Sequence, residues 1–244
     1  MDGPVRNIGV IFAGGVGIRM KSPGIPKQFL ELNGKPIIVH TLECFENHNE
    51  IDAIAVAILP EWRSHLEKLA KQYMLSKVEW IVDGGATGQD SRYAALHAIE
   101  GCVSHDSIVL MHDGVRPFVS RDTISSNIHD VREYGSSVTC TQMVETPVLC
   151  VDANIQRVLD RNQLYVARAP QAFYLKDLLF VYDDAMRSGI HDSLDSASLM
   201  LRSGFAVHAT LGPVENIKIT TPEDYYVGRA FFSMRESRLI EGQR

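Results

Sequence analysis

The sequence predicts an α/β fold, a three-layer, mostly parallel sheet with an inserted β-hairpin arm. Short apolar runs alternate along the chain with amphipathic stretches, which is the pattern of parallel strands joined by helices. The first run, residues 8–13, is almost continuously apolar, as expected for a strand that is buried on both faces. One segment, residues 147–167, breaks the alternation and predicts the arm.

The later apolar runs supply the remaining elements. Further candidate strands are residues 51–58, 78–82, 107–112, 137–146, 206–211 and 217–220. A helix is expected after Pro36, because Ile38, Leu42 and Phe45 recur at i, i+4 and i+7. Further candidate helices are residues 62–73, 91–99, 123–134, 176–187, 196–202 and 222–234.

The arm is predicted from two short β runs, residues 148–151 and 155–159, on either side of the turn Asp152-Ala153-Asn154. A hairpin of this length is marginal by itself, so we expect it to pack on another surface, such as a second subunit. The sequence shows no internal repeat, low-complexity tract or Pro/Gly/Ser linker. A single domain, residues 1–244, with an arm at about 147–167, is the simplest interpretation.

Composition excludes several classes of protein. No segment approaches the roughly 18 uninterrupted apolar residues of a membrane span, and the N-terminal pattern is not that of a secretory signal. The net charge of −6 argues against general nucleic-acid binding. The four cysteines are dispersed without a CxxC pair, which makes structural zinc unexpected and favours a reducing, cytoplasmic location.

Glycines follow the first predicted strand, in the segment Ala13-Gly14-Gly15-Val16-Gly17-Ile18-Arg19-Met20. Glycines there let backbone N–H groups approach a phosphate, and the Arg19 guanidinium suits phosphate oxygens. The spacing matches neither GxGxxG nor GxxxxGK[ST], and a glycine cluster alone favours a plain strand-to-helix turn. Lys27, held between a proline and an apolar pair, is oddly placed for a solvated charge. Arg19 and Lys27 could bracket one triphosphate.

At these residues the sequence resembles the cytidylyltransferases that act on methylerythritol phosphate and on ribitol 5-phosphate. Three spaced blocks carry the likeness, the pattern AGGxGxRM at 13–20, PKQ(F/Y)L at 26–30 and GxP at 34–36. The resemblance implies a Rossmann-like nucleotidyltransferase sheet, CTP as a substrate and Mg²⁺ as cofactor. It makes Arg19 and Lys27 catalytic, and it assigns these residues to nucleotide binding: Ala13, Gly14, Gly15 and Gly17.

The segment from Asp83 to Ser91 looks like the part of that family that holds the cytosine and ribose. Backbone groups of Gly84 and Gly85 could contact the base edge, and the Ser91 hydroxyl could add a hydrogen bond. Alternatively, Ser91 serves as the N-cap of the next helix. The sequence departs from the family at Gly88, where an arginine is usual.

A further block, His112-Asp113-Gly114-Val115-Arg116-Pro117, matches the HDxxRP pattern of the family. Asp113 ends a predicted buried strand, where α/β sheets bind ligands, and a carboxylate is a suitable ligand for Mg²⁺. We therefore expect Asp113 to bind the metal and Arg116 to bind substrate, and His112 to be structural.

The arm and the C-terminal third contain weaker matches. Thr146 and Arg161 correspond to family residues near the polyol phosphate, and the resemblance implies that the arm reaches into a partner's site in a homodimer. Lys218 lies in a block close to NIKxTxPxD and is expected to be catalytic on a strand, with Glu215 as a second metal ligand. Asp195 partly matches a T-D-E-A-S block and is a candidate substrate contact.

The resemblance implies a reaction without a general base. A phosphate oxygen of the acceptor attacks the α-phosphorus of CTP and pyrophosphate leaves, so catalysis is mainly positioning and charge stabilisation. Ribitol 5-phosphate is favoured as acceptor, and methylerythritol phosphate is the alternative. A nicotinamide-dependent oxidoreductase is rejected because GxGxxG is absent. A non-catalytic nucleotide-binding protein remains an alternative, since motifs alone do not prove turnover.

Overall fold

A seven-stranded sheet lies at the centre of the fold. The computed structural model describes residues 3–14 and 24–241. In chain order the strands are β1 (Asn7–Ala13), β2 (Glu31–Leu32), β3 (Lys35–Pro36), β4 (Ala53–Ile58), β5 (Val78–Asp83), β6 (Ile108–Asp113), β7 (Ser136–Gln142), β8 (Val148–Val151), β9 (Asn154–Val158), β10 (Tyr165–Tyr174) and β11 (Ala209–Leu211). The helices are α1 (Ile37–Glu46), α2 (Arg63–Gln72), α3 (Gly88–Glu100), α4 (Arg121–Tyr134), α5 (Leu175–Arg187), α6 (Ser196–Arg202) and α7 (Pro222–Glu241).

The large sheet has the strand order β11-β7-β10-β6-β1-β4-β5. Its neighbouring strands pair in parallel except around β10, which is antiparallel to both β6 and β7. The predicted mostly parallel sheet is therefore confirmed. β6 is the middle strand, and β1 and β4 lie between it and the edge strand β5. Every residue of β4 is buried, as the continuous apolar pattern of such strands predicts.

Helices cover both faces of the sheet, which confirms the three-layer prediction. On one face, Ile8 and Val10 of β1 pack with α3, α5 and α6. On the other, Ile11 of β1 packs with α1, α2 and α4. Alternate residues of β1 thus enter two separate cores, and each fully buried aliphatic side chain contributes roughly 1.5–3 kcal/mol. A third, smaller cluster lies under α7 and includes Phe118 and Ile219.

The expected hairpin forms as β8 and β9, joined by a turn in which Asp152 and Ala153 have positive φ angles of 48° and 64°. All residues of both strands are exposed. The end of the predicted arm needs correction, because Tyr165, Val166 and Ala167 pair with β7 in the main sheet. The free hairpin therefore ends before Tyr165.

One predicted strand is absent, and one observed strand was not predicted. Residues 217–220 form no strand, and the Ile219 N–H instead donates one isolated hydrogen bond, 2.8 Å long, to the Val115 carbonyl. β10 was missed, because its sequence Tyr-Val-Ala-Arg-Ala-Pro-Gln-Ala-Phe-Tyr contains a proline that argues against a long strand. The strand accommodates Pro170 where its register against β7 shifts, between Ala167 and Gln171.

Candidate active site

The site forms where the parallel strands end. β1 and β6 are adjacent and parallel, with Phe12 opposite Asp113. Both strands finish at this edge of the sheet, so the chain after Ala13 and the carboxylate of Asp113 lie side by side. Crevices at the carboxyl ends of parallel strands are the usual ligand sites of such folds.

A cavity of about 480 Å³ opens at this edge, and we call it the larger cavity. Its described lining is Phe12, Ala13, Gly14, Lys27, Gln28, Leu59, Gly85, Ala86, Thr87, Gly88, Ser91, Arg92, Asp113, Val115 and Lys218. Most of the predicted nucleotide and catalytic residues that the structure describes therefore meet in one place, although they come from distant parts of the chain.

Asp113 is the electrostatic centre of the site. Its Oδ1 lies 2.5 Å from the Lys218 Nζ, and its Oδ2 accepts hydrogen bonds from the Arg116 Nε and Nη2 at 3.2 and 3.1 Å. Burial by itself would raise the pKa of Asp113, but the Lys218 ammonium and the Arg116 guanidinium outweigh it and lower that pKa to about 2. The carboxylate is therefore ionised at neutral pH.

Lys218 reaches Asp113 from an irregular segment rather than from the predicted strand. The bond from Ile219 to Val115 and the burial of the Ile219 side chain fix this segment against the end of β6. Lys218 therefore lies at the larger cavity and its catalytic role stays a prediction, while the element that positions it was predicted wrongly.

Lys27 enters the larger cavity from a short 3-10 turn, Lys27–Phe29, and is only 9% exposed. Its neighbour Gln28 donates from Nε2 to the Ala13 carbonyl, 2.5 Å away, and thereby ties this turn to the end of β1. A lysine with so little exposure is not the solvated surface charge of an ordinary turn.

Ser91 organises the loop before α3. Its hydroxyl accepts a hydrogen bond from the Gly85 N–H at 3.2 Å and donates to the Thr87 carbonyl at 3.0 Å. A Cβ on Gly84 or Gly14 would come within 3.0 and 3.1 Å of the Ser91 Oγ, so a side chain at either position would require Ser91 to shift slightly. The alternative role of Ser91 as N-cap is wrong, because Thr87 caps α3 through a reciprocal capping box with Asp90.

The N–H groups of the two predicted base-binding glycines are used within the protein. The Gly84 N–H donates to the Ile58 carbonyl at 2.6 Å, and the Gly85 N–H donates to Ser91. Gly85 lines the larger cavity, whereas Gly84 is not part of its described lining. A base edge held by these residues would therefore contact their carbonyl oxygens or side-chain hydroxyls nearby.

A second cavity of about 190 Å³ adjoins the first, and we call it the smaller cavity. The two cavities share Phe12, Arg92, Asp113 and Lys218 as a common wall. Among the other residues lining the smaller cavity are Arg116, Arg168, Gln171 and Asp195. Two adjoining cavities that share charged lining residues suit two substrates that must react with each other.

Asp195 and Arg116 line the smaller cavity but have structural partners as well. Asp195 caps α6 by accepting from the Ser198 N–H at 2.9 Å, and its other oxygen accepts from Gln171. Arg116 holds Asp113 and also donates from Nη1 to the Asn216 carbonyl at 2.7 Å, close in sequence to Lys218. Their predicted substrate contacts remain predictions.

His112 has the structural position expected of it. It is fully buried beside Phe45, and its Nε2 lies 3.1 Å from the Arg116 carbonyl. Burial lowers the pKa of His112 to about 4, so it is neutral at neutral pH.

Several predicted residues are not brought to the two cavities within one chain. Thr146 and Arg161 are exposed on or near the hairpin, where Arg161 donates to the Val144 carbonyl at 3.1 Å. Glu215 is half-buried but is not among the described lining residues. The predictions for Gly15, Gly17 and Arg19 fall outside the described residues.

Among the lining residues that sequence reasoning did not assign to the site are Gln28, Arg92 and Arg168. Gln28 belongs to the PKQ(F/Y)L block, but no pattern in the sequence distinguishes a buried amide from a surface one. Arg92 follows Ser91 on a predicted helix, and Arg168 lies on the strand that was missed. Arg168 donates from Nη1 to the Val214 and Asn216 carbonyls at 2.9 and 2.8 Å.

The described residues contain no group of three His, Cys, Asp or Glu side chains that could hold a metal ion. Asp113 is the one carboxylate in the described lining of the larger cavity. This donor set fits Mg²⁺ only in the manner common at phosphate sites, where one protein carboxylate joins phosphate oxygens and waters. The predicted ligand Asp113 fits that manner of binding, and the Glu215 prediction gains no support.

A comparison with protein families decides the class. The model of the family described as IspD, 2-C-methyl-D-erythritol 4-phosphate cytidylyltransferase, matches residues 8–235. The chain belongs to this family. Members are cytidylyltransferases, which are CTP-dependent nucleotidyltransferases.

Individual relatives are named for one of two acceptors. A ribitol-5-phosphate cytidylyltransferase of Streptococcus agalactiae is 47% identical over 98% of this chain and all of its own length. One from Vibrio parahaemolyticus is 42% identical over 97% of this chain and all of its own length. A 2-C-methyl-D-erythritol 4-phosphate cytidylyltransferase of Shouchella clausii is 35% identical over 94% of this chain and 98% of its own length.

Solved structures of the family share the fold. The 4-diphosphocytidyl-2C-methyl-D-erythritol synthase of Anaerococcus prevotii superposes with a TM-score of 0.81, at 25% identity, over 94% of this chain and 99% of that one. The predicted nucleotidyltransferase sheet is confirmed. Within the described part of this cytidylyltransferase, no helix combines the length and apolar character that crossing a membrane requires.

Proposed function

We propose that this cytidylyltransferase transfers CMP from CTP to D-ribitol 5-phosphate, giving CDP-ribitol and pyrophosphate. The observation that carries the proposal is the pair of adjoining cavities with Asp113, Lys218 and Arg92 in their common wall. The acceptor is inferred from relatives, since proteins named for ribitol 5-phosphate are 47% and 42% identical over nearly the whole chain. The example named for methylerythritol phosphate is 35% identical.

In this proposal CTP occupies the larger cavity and the polyol phosphate occupies the smaller one. Lys27 and Lys218 stabilise the negative charge that develops on the α-phosphate and the departing pyrophosphate. Arg116 keeps Asp113 in place, and Asp113 in turn orients the Lys218 ammonium. The protein therefore contributes mainly alignment of two anions and a preorganised positive field.

Mg²⁺ is the proposed cofactor, with Asp113 as its protein ligand. The ion would supply positive charge at the phosphate oxygens. The residues of the chain would still have to align the acceptor phosphate with the α-phosphorus.

We also propose that the active form is a homodimer. Its support is the exposed hairpin β8–β9, which presents Val148, Leu149, Val151, Ile155 and Val158, each 42–64% exposed. An isolated two-stranded hairpin is marginally stable in water. A partner surface would cover these apolar side chains and place Thr146 and Arg161 near a neighbouring site.

The test is a pyrophosphate-release assay that pairs CTP with ribitol 5-phosphate or with methylerythritol phosphate, at the same protein and Mg²⁺ concentrations. We expect kcat/KM for ribitol 5-phosphate to exceed that for methylerythritol phosphate by at least tenfold. Lys27→Ala serves as the matched control for contaminating activity. Preference for methylerythritol phosphate would reassign the acceptor, and no release with either would favour a non-catalytic nucleotide-binding protein.

A further inference from the structure

Arg92 is a buried cation without a carboxylate partner. Its side chain is 6% exposed, and no Asp or Glu of the described residues lies within ion-pair distance of it. By contrast, the neighbouring cations Arg116 and Lys218 both pair with Asp113. A buried charge is costly unless it is compensated, so an unpaired guanidinium at a cavity wall indicates an anionic ligand.

The contacts that Arg92 makes fix its position, and the nearest acidic influence is Asp195, which interacts with the guanidinium electrostatically but forms no ion pair with it. Its Nη2 donates to the Ser193 carbonyl at 3.1 Å, and its guanidinium carbon lies 5.7 Å from the centre of the Phe12 ring. It also contacts the hydroxyl of Tyr182, a phenol that burial keeps neutral by raising its pKa. The Nε of Arg92 is buried and has no hydrogen-bond partner among the described residues.

The position of Arg92 is at the junction of the two cavities. It lines both of them, together with Phe12, Asp113 and Lys218. On the side of the larger cavity, its Nη1 lies beside Gly88, where an added Cβ would be 3.9 Å away. Residues 88 and 92 are one helical turn apart on α3 and share a face. Because Gly88 has no side chain, this residue does not shield the Arg92 Nη1 from the larger cavity.

We infer that Arg92 is a substrate-binding residue whose guanidinium holds a phosphate group at the junction of the two cavities. This inference rests on the proposed function. The planar fork of an arginine can donate two parallel hydrogen bonds to phosphate oxygens. The phosphate is either that of the polyol phosphate or the α-phosphate of the nucleotide, and both are phosphate oxyanions that must meet here for transfer to occur.

The alternative is that Arg92 only anchors the loop of Ser193. Gln89 provides a matched control, because it holds the same loop from the same helix. Its Nε2 donates to the Ile190 carbonyl and its Oε1 accepts from the Ser193 N–H at 2.9 Å. Gln89 is buried but is not in the described lining of either cavity. Gln89→Met therefore removes loop contacts without removing a cation.

The experiment compares the wild type with Arg92→Met, Arg92→Lys and Gln89→Met in the pyrophosphate-release assay. KM is measured separately for CTP and for ribitol 5-phosphate, and thermal unfolding reports folding. We expect Arg92→Met to lose at least tenfold in kcat/KM, Arg92→Lys to lose less, and Gln89→Met to keep near-normal kinetics. A raised KM for ribitol 5-phosphate alone assigns the acceptor phosphate. A raised KM for CTP assigns the nucleotide.

Two outcomes would overturn the inference. Either Arg92→Met and Arg92→Lys keep wild-type kinetics, or Gln89→Met loses as much activity as Arg92→Met, in which case Arg92 acts through the loop. Should Arg92→Met fail to fold, Arg92→Lys carries the comparison. If the wild type releases no pyrophosphate, the proposed function fails separately. Calorimetric titration of CTP and of ribitol 5-phosphate, each into wild type and Arg92→Lys, then tests the phosphate contact, and equal affinities for both ligands would reject it.

Discussion

At the scale of single residues, the site depends on one carboxylate shared by two cations. Asp113 is 7% exposed and contacts both Lys218 and Arg116. Removing one partner from a buried charge cluster usually costs more than the cluster contributes in total, because a bare charge is left behind. Asp113 therefore affects stability as well as catalysis, and the two effects can be separated by pH.

The pKa of Asp113 is lowered from 3.8 to about 2. A group with a depressed pKa contributes stability above the pKa of its unfolded state, and this contribution is lost as pH falls through the folded value. This lowering of the Asp113 pKa corresponds to about 2 kcal/mol of linked stability at neutral pH. We expect Asp113→Asn to be less stable than the wild type at pH 6, with a difference that shrinks towards pH 2.

Urea unfolding of both proteins between pH 6 and pH 2 checks this expectation. His112 also titrates in this range, because its pKa is lowered to about 4. The Asp113 carboxylate acts to raise the pKa of His112, so the measured difference includes the change in this histidine as well as the ionisation of Asp113. A difference in unfolding free energy that stays constant across the range would show that the ionisation of Asp113 is not coupled to folding.

A site residue was predictable from the sequence where it lies in a recognisable motif and its side chain has an obvious chemical role. Lys27, Asp113 and Lys218 were predicted and meet at the larger cavity. Arg92 was not, because an arginine on an amphipathic helix gives no sign in sequence that it is buried and lacks a carboxylate. That property depends on how α3 packs against Phe12 and the loop of Ser193.

At the scale of elements, the N-terminus of α3 is a part of the site. The Thr87 hydroxyl accepts from the Asp90 N–H at 3.0 Å, and the Asp90 carboxylate accepts from the Thr87 N–H at 3.0 Å. This box sets the first turn of α3 and thereby the positions of Ser91 and Arg92. The cap lies in the wall of the larger cavity, so helix stability and ligand binding are linked here.

Thr87→Ala removes the side-chain acceptor of the capping box. We expect it to destabilise the protein by about 1 kcal/mol, which is typical for the loss of an N-cap, and to raise KM for CTP more than it changes kcat. Chemical denaturation and steady-state kinetics measure the two effects. Thr87→Ser is the matched control, because it keeps the hydroxyl and should be near wild type. An unchanged KM for CTP in a destabilised Thr87→Ala would mean that the loop does not depend on the cap.

The hairpin and the segment containing Lys218 show why elements differ in predictability. The hairpin was correctly predicted because its turn and its apolar runs are local in the sequence. Residues Ile217, Lys218 and Ile219 alternate as a strand would, yet Ile219 is buried in the small cluster under α7 and its N–H bonds to Val115. The alternation there reflects packing in a cluster with Val115 and Phe118, which are about a hundred residues earlier in the chain, and a local pattern cannot distinguish such packing from a strand.

At the scale of the whole molecule, two residues predicted to bind substrate lie away from the cavities of their own chain. Thr146 and Arg161 are exposed beside a hairpin whose apolar side chains face solvent. Both facts are explained together if the hairpin of one subunit packs against another and brings these side chains to its site. The dimer proposal therefore predicts that each active site is built from residues of both chains.

Complementation between inactive subunits tests this arrangement. We expect Lys27→Ala and Arg161→Ala each to be inactive or nearly so as homodimers. If Arg161 acts in the partner's site, a mixed dimer contains one site that lacks both residues and one that keeps both. After partial dissociation and random exchange, half of the dimers are mixed and half of their sites are intact, so pyrophosphate release should return to roughly a quarter of the wild-type rate.

The control is a mixture of Lys27→Ala with Lys218→Ala, whose residues both line the larger cavity of one chain. In that mixture every site lacks one group, and no activity should return. Exchange must be shown independently, by mass spectrometry of subunits that carry different tags. If exchange is complete and the Arg161→Ala mixture remains as inactive as the control, Arg161 does not act across a dimer interface. The exposed apolar face of the hairpin would then need another explanation than a shared site.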